Sequence, residues 1–257
     1  MKRLYEKNEL TFALVWIGVY VVVMNLALRF CGGFDDLAQK TLPQVLVPVV
    51  CILTLAAILT VWILRSGLAE AFGLCRFRGD PKAWLWFLPL AVMSCTNLKN
   101  GLTLPAALAV SALMAVNLAV GGYVEELIFR GFLFRAMCRE NLRSAIIVSA
   151  VTFGVGHIVN VFNTADLLGV LLQVCYAIAI GFLYTVIAYK GGSLWPGILS
   201  HVFVNGTSVF AREEGVFTDL VYAILGRSAT NAPEIASAAL VILISSGYAW
   251  WIWRESN

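Results

Sequence analysis

Charge is scarce in this chain. Only 13% of its 257 residues are Asp, Glu, Lys or Arg, against about 25% in a soluble domain, whose surface must face water. That shortage excludes a soluble globule. Nor does any run of Lys and Arg supply the basic footprint of a nucleic-acid binder, and the net charge is only +3. No nucleic acid is expected as a partner. Cysteine is present without the close pairs that a zinc finger or a redox motif needs. Cys31, Cys51, Cys75, Cys95, Cys138 and Cys175 are therefore read as small buried hydrophobes rather than disulfide or metal partners.

What fills the sequence instead is apolar: 60% of the residues are hydrophobic and the mean hydropathy is +0.85. A chain of this composition cannot stay solvated as a disordered coil either. Its solvent is a lipid bilayer, and membrane lipids are its first expected partner. A helix needs about 20 predominantly apolar residues to cross the hydrocarbon core, at about 1.5 Å per residue. Residues 10–28, 42–64, 102–124, 167–189 and 235–253 contain no charged side chain, and 145–162 and 194–210 are equally free of Asp, Glu, Lys and Arg. The run at 10–28 is read as a retained span, since no small-residue cleavage site follows it.

The segment 83–96 is short for a crossing, so loop charge must arbitrate. If it crosses, Arg29, Lys40, Lys99, Arg212 and Arg227 lie on one side and every other Lys and Arg lies on the side of the termini. Because basic loops stay in the cytoplasm, the expected fold is all-α and polytopic, with about eight transmembrane helices and both termini inside. Residues 1–257 form a single integral membrane domain. Residues 211–234 are expected to be an exposed connector, and Trp250, Trp251 and Trp253 an interfacial anchor. Pro43, Pro48 and Pro196 are expected at helix starts or kinks.

Polar groups at membrane depth are costly, so each needs a partner, a wet cavity or a function. The only two histidines, His157 and His201, both fall inside spans, beside Asn160 and Asn205. Glu125 and Glu126 close the run at 102–124, and Arg130 follows. Residues four apart lie about 40° apart around a helix, so Glu126 can pair with Arg130, and His201 with Asn205. Glu125 sits about 100° around from its neighbour and faces elsewhere. Taken singly, these residues have plain readings: a helix-locking ion pair, packing histidines and interhelical amides. As a set they point to one polar cavity.

In order along the chain, Glu125, Glu126 and Arg130 read as EExxxR, Phe153 and His157 as FxxxH, and His201 and Asn205 as HxxxN. This pattern resembles the CPBP family of intramembrane proteases, which includes the Rce1-type CAAX prenyl endopeptidases and the bacterial Abi proteins. The resemblance spans residues 121–210. It implies a helical membrane fold with a conical, water-accessible cavity and a catalytic set of Glu125, Glu126, Arg130, His157, His201 and Asn205. Glu125 with His157 would activate water, and His201 with Asn205 would stabilise the oxyanion.

The implied substrate is a peptide or protein near the membrane surface, with a lipid anchor in the prenyl-endopeptidase case. The compact length looks more like the bacterial branch, hence a bacterial cell membrane. No cofactor is required by this scheme. Two alternatives stay open at this point. Glu125, His157 and His201 form an acceptable catalytic zinc set, although the compact HExxH spacing is missing. A transport or immunity protein could also use the same cluster to bind without cleaving.

Overall fold

In the computed structural model, residues 1–33, 39–78, 85 and 87–255 are described. They form α1 (Lys2–Lys7), α2 (Glu9–Phe30), α3 (Leu42–Arg65), α4 (Phe87–Ser94), α5 (Leu108–Glu126), α6 (Arg135–Cys138), α7 (Leu142–Gly156), α8 (Leu167–Gly191), α9 (Trp195–Ser208), α10 (Val216–Leu225) and α11 (Ala232–Glu255). A π-helical stretch, Leu127–Phe134, joins α5 to α6, and a 3-10 stretch, His157–Phe162, extends α7. No strand occurs among the described residues, as expected for an all-α membrane protein.

Short polar residues start the long helices where the sequence offers them. Asn8, Asn141 and Asp166 accept hydrogen bonds from the backbone N–H three residues on, at 2.7, 2.9 and 2.8 Å, satisfying donors that a helix N-terminus leaves unpaired. Pro43 and Pro196 occupy the first turns of α3 and α9, and Pro48 lies inside α3. Six helical stretches are long and apolar enough to cross a membrane: Glu9–Phe30, Leu42–Arg65, Leu108–Cys138, Leu142–Phe162, Leu167–Gly191 and Ala232–Arg254. Their outer faces carry exposed Leu14, Val22, Leu26, Val50, Ile147, Leu171 and Leu243, a surface suited to acyl chains rather than water.

Contacts at the two ends of the bundle settle the path of the shorter pieces. At the terminal end, the rings of Tyr5, Phe12, Trp62, Phe72 and Phe132 pack on one another, bringing together the start of α2, the end of α3 and the π-helical stretch. Arg78 N–H donates to the Gly191 carbonyl at 2.9 Å there, and the Phe77 and Phe87 rings meet edge to face. At the far end, Thr103 N–H donates to the Phe210 carbonyl at 2.8 Å and Arg212 N–H to the Gly101 carbonyl at 3.1 Å.

The chain from Phe87 to Gly101 therefore travels from one end to the other. Along the way Ser94 bonds Ser200 at 2.7 Å and Asn97 donates to the Val204 carbonyl at 2.6 Å. Of the short segment 83–96, the described part from Phe87 on belongs to this passage; residues 83, 84 and 86 lie outside the described residues. Counting this passage and α9, the described residues pass eight times between the two ends, and the start of α2, beside Arg139, and the end of α11, where Trp253 meets Tyr189, lie at one end.

Two expectations need correction. Residues 211–234 are not a plain connector: they contain α10, whose Val216, Leu220 and Ile224 are exposed at helical spacing, and the last helix begins at Ala232 rather than 235. Nor are the six free cysteines all buried. Cys31 is, whereas Cys95 and Cys175 are exposed, because an apolar residue of a membrane helix can face lipid as readily as protein.

The α7–α8 seam shows how closely the helices can approach. A Cβ at Gly154 would come within 2.9 Å of the Val174 carbonyl oxygen, and one at Gly181 within 3.0 Å of the Ala150 Cα. Contacts this short are open to glycine alone.

Candidate active site

Glu126 and Arg130 meet as their spacing predicts. Arg130 Nη1 donates to Glu126 Oε1 at 2.8 Å, with both side chains almost fully buried. The guanidinium also lies over the Phe153 ring, 4.2 Å from its centroid, and its Nε reaches Thr185 Oγ1 at 3.4 Å. A charge taken this far from water needs such company. Arg130 lies in the π-helical stretch Leu127–Phe134, which the sequence spacing does not announce. Stretches with i to i+5 bonding recur at functional sites, and here Ser149 on α7 donates to the Phe129 carbonyl at 2.9 Å.

His201 and Asn205 do not pair with each other. His201 Nδ1 stands 3.0 Å from Glu126 Oε1, and Asn205 Nδ2 donates to the Leu118 carbonyl at 3.2 Å. The cause is competition: α5 packs along α9 and offers both side chains partners that sequence spacing within α9 cannot reveal. Gly122 and Gly197 make room for the meeting. A Cβ on Gly122 would lie 3.1 Å from the His201 ring, and one on Gly197 would lie 3.2 Å from Glu126 Oε2.

Because a carboxylate only accepts, His201 Nδ1–H donates to Glu126. The other ring nitrogen, Nε2, is 3.4 Å from Glu125 Oε2. Glu125 does face away from Glu126, towards the cavity. Its Oε1 accepts from the Tyr20 hydroxyl of α2 at 2.5 Å, while its buried Oε2 has no hydrogen-bond partner among the described residues. His157 Nδ1 lies 3.0 Å from the Phe153 carbonyl. A carbonyl also only accepts, so Nδ1 carries a proton, and in a neutral ring Nε2 is then the acceptor.

Glu125, His157, His201 and Asn205 all line one cavity of about 630 Å³, together with Tyr20 and Tyr184. That volume is within the range of pockets that hold sizeable ligands. Glu126 and Arg130 stand behind the wall. Two polar residues of α8 also bond near this cavity: Gln173 accepts from Asn160 Nδ2 at 2.9 Å, and Tyr184 bonds Ser200 at 2.8 Å. Towards the far end of the bundle the same cavity is lined by Lys99, Asp166, Glu234 and Ser237. Burial pushes the Lys99 ammonium below its ordinary value, with Glu234 opposing that shift.

Among the described residues no group of three His, Cys, Asp or Glu side chains stands in the arrangement of a metal site. Sequence reasoning missed Tyr20, which belongs to no motif and lies 105 residues from its partner.

Residues 107–207 match the family model described as type II CAAX prenyl endopeptidase Rce1-like. Over this stretch the chain is similar to that family. It contains Glu125, Glu126, Arg130, His157, His201 and Asn205, and it agrees with the CPBP resemblance carried by the three motifs. No curated protein matches the chain. With its six long apolar helices, the protein is an integral membrane protein in which residues 107–207 are similar to the Rce1-like family.

Proposed function

We propose that the protein is an intramembrane endopeptidase of the glutamate type, in which Glu125 is the general base. The observation that carries this reading is the division of labour between the adjacent carboxylates. Glu126 is consumed by Arg130 and His201, whereas Glu125 keeps one oxygen without a hydrogen bond beside the cavity.

In this mechanism Glu125 Oε2 takes one proton from a water and His157 Nε2 accepts a hydrogen bond from the other. The water oxygen attacks the scissile carbonyl carbon. His201 Nε2, when protonated, and the second N–H of the Asn205 amide donate to the oxyanion that forms. The tetrahedral intermediate collapses as Glu125 passes its proton to the leaving amine, which balances the step without a cofactor. Glu126 and Arg130 position His201 from behind and touch no reacting atom.

The substrate in this proposal is a peptide at the membrane surface, with a lipid anchor compatible with the Rce1-like segment. The cavity lies in the half of the bundle away from the termini: it is lined by the C-terminal half of α2, from Tyr20 to Leu28, and by the N-terminal turns of α11, from Glu234 to Val241. In the proposed orientation, with basic loops held in the cytoplasm of a bacterial cell, this half of the bundle faces the outer side.

The test is cleavage of a mixed-sequence peptide library, with and without a prenylated cysteine, by detergent-purified protein, read by mass spectrometry. Wild type is expected to cut, and Glu125→Gln to fold normally and cut at least a hundred-fold more slowly. Activity surviving exhaustive chelation is part of the expectation. A wild type that cuts nothing yet binds or moves a peptide would overturn the protease reading in favour of a transport or immunity role.

A further inference from the structure

The three motifs lie within residues 107–207, yet Glu125 accepts a short hydrogen bond from outside them. Tyr20 sits in the middle of α2, and its hydroxyl is 2.5 Å from Glu125 Oε1. The phenol also lines the cavity. Gly121, one turn before Glu125, carries no side chain, and a Cβ there would be 3.7 Å from the Tyr20 hydroxyl oxygen. The donor is the phenol and the acceptor the carboxylate, because a carboxylate offers only lone pairs. Bonds of this charge-assisted kind are short and strong compared with those between neutral groups.

We infer that Tyr20 is a positioning residue for the reaction, which holds Glu125 through Oε1 and thereby leaves Oε2 as the oxygen that takes the water proton. The inference rests on the protease reading above. A glutamate side chain has three rotatable bonds, and one facing a wet cavity would sample several rotamers. Fixing one oxygen removes that freedom before substrate arrives and aims the other oxygen at the space shared by His201 Nε2, 3.4 Å away. Misplacement of a catalytic group by about 1 Å is enough to cost on the order of a hundred-fold in rate. The arrangement also makes α2, which contributes no recognised motif, a required part of the catalytic unit.

A structural phenol that merely needs an acceptor would give the same contact, so the test must separate the two. On the peptide cut best by wild type, Tyr20→Phe in the full-length protein should lower kcat about ten-fold and leave KM within about two-fold. In a Glu125→Asp background the shortened carboxylate no longer reaches the phenol. Adding Tyr20→Phe there should change the residual rate by less than about two-fold, because residues that act through one another are non-additive. Replacing Tyr20 with 4-aminophenylalanine, which restores a donor at the same place, should recover kcat.

Wild-type kcat in Tyr20→Phe, or the same ten-fold loss in both backgrounds, overturns the inference while the protease reading stands. Should Tyr20→Phe not fold, failure of the 4-aminophenylalanine protein to approach wild-type kcat overturns it. A wild type without activity removes both.

Discussion

The Arg130 guanidinium lies against the face of Phe153, its central carbon 4.2 Å from the ring centroid. Phe153 thus does more than mark a motif. Its ring covers a buried cation, its edge meets His201 at 5.7 Å between centroids, and its carbonyl holds His157. Phe153→Leu keeps the carbonyl and the apolar character but removes the π-face. A desolvated cation–π contact contributes about 2 kcal/mol, so thermal unfolding in detergent should show a loss of roughly that size. Activity should fall with it, since Arg130 fixes Glu126 and Glu126 fixes His201. Unchanged stability in Phe153→Leu would mean that the ion pair alone holds Arg130 in place.

How much of this was written in the sequence depends on whether the partners share a helix. The pairing of Glu126 with Arg130 was legible because both sit on one helical stretch, where spacing alone sets direction. His201 and Asn205 obeyed the same spacing and yet bind Glu126 and the Leu118 carbonyl, because another helix offered better acceptors. Tyr20 was invisible for the same reason: it is one of eight tyrosines, and nothing local tells which one a glutamate far along the chain will meet. The passage made by α4 was readable only from loop charge. With eight helical residues it falls short of the length that marks a span, and its path is fixed by the chain before and after it, where Arg78 bonds the Gly191 carbonyl and Thr103 the Phe210 carbonyl.

Glycine at position 122 is expected to be required for activity and nearly irrelevant to stability elsewhere. A Cβ there would press on the His201 ring at 3.1 Å, tighter than ordinary van der Waals contact, and the imidazole would have to turn away from Glu125 or from Glu126. Gly122→Ala should therefore cut kcat at least ten-fold. Gly18→Ala, whose added carbon meets nothing within 4 Å, should leave kcat unchanged and, by favouring the helix, raise stability by up to about 1 kcal/mol. Equal activity in the two variants would show that His201 tolerates displacement and is not held for catalysis.

Access to the cavity gives the remaining prediction. The residues around its far end, Lys99, Asp166 and Glu234, are on the side of the bundle opposite the start of α2 and the end of α11, and the proposed orientation, in which basic loops stay inside, has those ends in the cytoplasm. A cysteine in place of Ser228, exposed on the loop after α10, should react with a membrane-impermeant maleimide in intact bacterial cells. A cysteine in place of Lys2 should react only after the membrane is permeabilised. Both belong in a background from which the six native cysteines have been removed, since Cys95 and Cys175 are exposed and free. Labelling of Ser228→Cys from the cytoplasmic side alone would reverse the orientation and bring the substrate to the cavity from inside the cell, where a peptide would meet Glu125 before crossing the membrane rather than after.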